Sequence, residues 1–139
     1  TVFLMQDFDY LVQMAQGIHH VIGYGKEQGQ IQGDAIDHNG LLSVQFKKGI
    51  EIDSIQTHLV GNFNLPNVLA AVCIGKSFDV PDDNIKSALE SYQPSNSRSQ
   101  LIKKDSNEII LDAYNANPTS MISAINSLII VLDKSFSLI

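Results

Sequence analysis

From Asn64 onward the apolar residues Leu65, Val68, Leu69, Val72 and Cys73 recur at helical spacing, with Pro66 in the first turn, where a missing N–H costs little. A helix with one apolar face must bury it against another element. The sequence supplies short strand patterns to receive it, at residues 2–5, 18–22, 31–36, 41–46 and 50–55. Between the first two lies a helical pattern in which Asp7 can act as cap, Phe8, Leu11, Val12 and Ala15 share a face, and Gly17 closes the turn. Strand, helix and strand in succession predict an α/β layer. Asn39-Gly40 and Lys48-Gly49 then separate the next three strands as hairpin turns, so the middle of the chain reads as a small antiparallel meander attached to that layer.

A further helix is expected from Pro81-Asp82-Asp83 through Ile85, Ala88 and Leu89, its acidic first turn complementing the helix dipole. The polar stretch Tyr92-Gln93-Pro94-Ser95-Asn96-Ser97 has no apolar period and marks a domain boundary, dividing the chain into residues 1–93 and 94–139. Beyond it, Leu101-Ile102 and Ile109-Ile110-Leu111 flank a turn at Asp105-Ser106-Asn107 and read as a hairpin or two neighbouring strands. A polar loop from Asp112 leads to a helix start at Pro118-Thr119. The strand at residues 2–5 begins without a preceding turn, and the last residues are Leu138-Ile139, so the sequence is expected to be an internal piece of a longer protein.

Fifteen acidic against nine basic side chains give a net charge of -6, which disfavours a phosphate backbone or an anionic bilayer as partner. Neither nucleic-acid binding nor membrane insertion is expected: no apolar run approaches the roughly 20 residues that span a bilayer. The single cysteine, Cys73, lies within an apolar helical pattern and suits a reducing, cytoplasmic compartment. Gly23-Tyr24-Gly25 followed by Gly29 has the wrong spacing for a dinucleotide loop and reads as a surface turn. His19 and His20 point to opposite faces of a strand and cannot share a metal ion, so no metal site is expected, and no serine occupies a glycine-flanked nucleophile elbow, so Ser/His/Asp catalysis is not expected either.

Two stretches carry more chemistry. In the first, Gly61 permits a tight turn and Asn64 and Asn67 place two carboxamides near one helix end, where Ala70-Ala71 let the helix approach a sheet. Carboxamides offer donor and acceptor together, which suits the edge of an adenine ring; helix capping accounts for Asn64 equally well. In the second, Asp112 follows a strand pattern and opens the loop Ala113-Tyr114-Asn115-Ala116-Asn117-Pro118. That is a common ligand position in α/β sheets, and an Asx-turn with asparagine caps is the equal alternative.

Taken in order, Gly61-x-x-Asn64-x-x-Asn67-x-Leu69-Ala70-Ala71, Arg98 after the linker, and Asp112-x-Tyr114-Asn115-Ala116-Asn117-Pro118-Thr119-Ser120-Met121 resemble the Mur ligase family. The resemblance implies the later part of a central ATPase domain up to about Gln93, followed by the opening of a Rossmann-like C-terminal domain. It implies ATP and Mg²⁺ as cofactors, an acyl phosphate formed on a peptide carboxylate, and attack by an incoming amine. Within the family, the Tyr114 to Pro118 string implies UDP-MurNAc-tripeptide and D-alanyl-D-alanine as substrates; the alternatives are a sibling Mur or folylpolyglutamate-type ligase, or a non-catalytic module on the same scaffold. By the same resemblance Asn64 and Asn67 contact adenine, Arg98 reaches ATP across the domain junction, Asp112 accepts from the ribose hydroxyls, and Tyr114, Asn115 and Asn117 wall the reacting groups. The phosphate loop and the metal-binding residues of the family have no counterpart in the sequence, so the isolated chain is expected to be inactive. Phe63, Ser97 and Leu111 depart from the family pattern.

Overall fold

The computed structural model describes residues 1–38, 40–94, 100–105, 107–111, 118, 121–122 and 125–126. Strands β1 (Val2–Met5), β2 (Val21–Gly25), β3 (Ile31–His38), β4 (Leu41–Lys48) and β5 (Ser54–Val60) form one sheet in sequence order. Helices α1 (Asp9–Met14), α2 (Leu65–Ser77) and α3 (Asp82–Ser91) accompany it, and β6 (Gln100–Lys104) and β7 (Asn107–Leu111) form a separate two-stranded sheet. β1 and β2 are parallel in the register Val2↔Val21 to Met5↔Tyr24, with α1 as the crossover; β3, β4 and β5 are antiparallel. The α/β layer with an attached meander expected from the sequence is therefore present.

The joint between the layer and the meander differs from expectation. β2 runs through Gly23 and Gly25, both buried, where a surface turn was predicted, and it begins at Val21 rather than residue 18. The cause is steric. A β-carbon on Gly25 would lie 2.9 Å from the Gln28 backbone oxygen, which leaves room only for glycine there, whereas one on Gly23 would meet the movable end of the Gln6 side chain. β2 and β3 pair only at Tyr24↔Ile31 and Gly25↔Gln32, which makes β3 start where β2 ends. Asp7 does not cap α1. Its carboxylate accepts the Lys26 backbone N–H at 2.6 Å, and α1 starts from Phe8 without a side-chain cap. No residue of this short helix is buried, and Ile18 behind it is 42% exposed.

The third strand of the meander lies at Ser54–Val60, four residues later than the pattern at 50–55 suggested. Ile50 and Ile52 are partly buried against the core without belonging to a strand, because the Asp82 carboxylate accepts the Glu51 N–H at 2.7 Å and ties this stretch to the start of α3. The core itself follows the sequence closely. Leu65, Val68, Leu69, Val72 and Cys73 of α2 are all buried, and they pack with Ile31, Leu42, Val44, Phe46 and Ile55 of the sheet and Ile85 of α3. Ala71 is exposed and Ala70 half-buried, so the tight spacing does not come from Ala71. It is made by Gly33 of β3, where a β-carbon would come within 3.3 Å of Leu69 Cδ2, and by Gly75 of α2, where one would meet Ile85 Cδ1 at 2.9 Å. Thr57 and Ser43, buried in the sheet, donate to the Leu42 and Ile55 carbonyls at 2.7 and 3.2 Å, so neither hydroxyl is left unsatisfied.

Candidate functional site

β5 ends at Val60, and Gly61 turns the chain with φ 86, a conformation that side-chain-bearing residues rarely adopt. A single 3₁₀ turn, Asn62–Asn64, then runs directly into α2. The Asn64 backbone N–H donates to the Gly61 carbonyl at 3.2 Å, closing the turn, and Asn64 Nδ2 donates to the Val60 carbonyl at 2.9 Å. Asn64 stands at the N-cap position of α2 but does not cap with its side chain: it has helical backbone angles and makes no side-chain bond to the N–H groups of α2. Its carboxamide is turned back to the last carbonyl of β5 and held there.

Asn67, one turn further on, donates through Nδ2 to Asn64 Oδ1 at 3.0 Å. The two carboxamides expected to lie together at this helix end are thus joined in one chain: Val60 carbonyl, Asn64, Asn67. Asn64 is half-buried and Asn67 exposed. A primary amide has two N–H groups and one carbonyl oxygen, and Asn67 commits one N–H to Asn64. Its Oδ1 and second N–H form an exposed donor–acceptor edge whose orientation is fixed through Asn64. Such an edge matches the paired donor and acceptor on the rim of an adenine ring.

The other residues assigned to the site from the sequence, Arg98, Asp112, Tyr114, Asn115 and Asn117, lie outside the described residues. The strand leading to Asp112 is described. β7 pairs antiparallel with β6 from Gln100↔Leu111 to Lys104↔Asn107, which selects the hairpin of the two readings. Ile109 is 44% exposed.

Among the described residues no group of three or more His, Cys, Asp or Glu is placed to hold a metal ion. The charged contacts elsewhere tie elements together. Lys47 of β4 reaches Asp34 at 2.8 Å and Glu27 at 2.9 Å, and these two carboxylates raise its pKa above the ordinary lysine value. Lys76 of α2 pairs with Asp82, and that ammonium together with the Glu51 N–H holds the Asp82 carboxyl below its ordinary value. Burial pushes the Cys73 thiol up, away from the reactive thiolate form. No helix among the described residues is long and apolar enough to cross a membrane.

The described residues define a mixed α/β domain with a fixed amide edge at a strand–helix junction. No family model matches the chain. A UDP-N-acetylmuramate–L-alanine ligase of Clostridium botulinum is 30% identical over 112 residues, covering 78% of this chain and 24% of the relative. The UDP-N-acetylmuramoyl-tripeptide–D-alanyl-D-alanine ligase of Bacillus subtilis is 39% identical over 79 residues, 56% of this chain and 17% of the relative. Among solved structures, MurF from Acinetobacter baumannii superimposes with TM-score 0.80 at 25% identity, over 91% of this chain and 28% of that one. MurF from Thermotoga maritima, solved with ADP, matches in fold with TM-score 0.76 at 20% identity, over 91% and 30% of the two chains. The chain belongs to the Mur ligase family. It spans about a quarter of the length of the curated relatives it matches.

Proposed function

We propose that the chain is the adenosine-holding part of an ATP-dependent ligase that adds D-alanyl-D-alanine to a UDP-MurNAc-tripeptide in peptidoglycan precursor synthesis. The observation that carries the nucleotide reading is the exposed edge of Asn67, braced by Asn64 against the Val60 carbonyl. On this reading Asn64 and Asn67 hold the base, Asp112 the ribose and Arg98 the phosphates, where a guanidinium forms paired hydrogen bonds. Tyr114, Asn115 and Asn117 line the approach to the reacting carboxylate. Residues 1–93 form the later part of the central domain and 94–139 the opening of the C-terminal one, with the nucleoside between them. By the family resemblance, Mg²⁺ is assigned to other parts of a complete ligase. The protein acts in the cytoplasm on small molecules, with no nucleic-acid partner.

The choice of D-alanyl-D-alanine rests on the Tyr114 to Pro118 string and on the 39% identity to the Bacillus subtilis ligase. A second reading, ligation of L-alanine to UDP-N-acetylmuramate, is favoured by the longer 112-residue match to the Clostridium botulinum enzyme. A segment exchange separates them. The matching segment of each relative is replaced by this chain's residues and its own reaction is assayed. Retained activity in the Bacillus host and loss in the Clostridium host is expected; the reverse pattern would transfer the assignment to L-alanine.

A further inference from the structure

We draw no further inference here: the strongest candidate, the exposed apolar side chains of the α1 segment, namely the stacked Phe8 and Tyr10 rings with Val12 and Met14, carries nothing because nothing in the structure shows what covers it.

Discussion

Gly29 adopts φ 108, and a β-carbon there would stand 2.7 Å from the carbonyl carbon of Gly23, a backbone atom that cannot step aside. Gly17 has a comparable φ of 84 but nothing within 4 Å. The two positions separate conformational strain from collision. Gly17→Ala is expected to cost about 1 kcal/mol for the left-handed backbone alone, and Gly29→Ala about 2 to 3 kcal/mol, measured by urea unfolding. Equal losses at the two sites would show that the joint between β2 and β3 yields more readily than its packing implies. At the amide edge, Asn64→Ala removes the brace on Asn67 and leaves the Val60 carbonyl without its side-chain donor. Its stability cost is expected to be about 1 kcal/mol, whereas Asn67→Ala, at an exposed position, costs less than about half of that. A loss of nucleotide binding in Asn67→Ala thus reports on recognition and not on folding.

Among the elements, α2 carries the most weight, since Leu69 is wholly buried and packs against the sheet at Gly33. Leu69→Ala should lower the unfolding free energy by about 2 to 5 kcal/mol, the usual cost of a core cavity. The same loss at Ile18, beside the exposed α1, would be far smaller. The α2–α3 corner adds a pH dependence. Lys76 and the Glu51 N–H favour the charged form of Asp82 in the folded chain, so its pKa is depressed there. That stabilisation is complete above the carboxylate value of the unfolded chain and is lost as pH falls through the lower folded value. Melting temperature is expected to drop on acidification, and Asp82→Asn should make the drop shallower; an unchanged slope would show that this carboxylate adds nothing to acid sensitivity. These elements also show what a sequence discloses. The apolar face of α2 was legible to the residue, because helical burial has a period and all five positions obey it. β2 and β5 were misplaced by three and four residues, because their bounds are set by partners distant in sequence: the pairing with β1 that opens at Val2↔Val21, and Asp82 on Glu51. The two asparagines were legible as neighbours, but the direction of Asn64, back toward Val60 instead of along the helix, follows from the 3₁₀ turn, which leaves no mark in the pattern.

For the whole molecule, the proposed adenosine site stands on a chain whose sequence carries no counterpart of the family's phosphate loop. The isolated protein is therefore expected to bind nucleotide weakly and to release no phosphate from ATP above background in a colorimetric assay. Robust release, abolished by Asp112→Ala, would show a complete catalytic centre within these residues. The central claim is that Asn64 and Asn67 surround a single nucleoside together with Arg98 and Asp112. Backbone resonances of the labelled chain followed during titration with ADP test it most directly. The account predicts that Asn64, Asn67, Arg98 and Asp112 shift along one common binding curve, and shifts at the asparagines alone, with Arg98 and Asp112 unmoved at saturation, would contradict it.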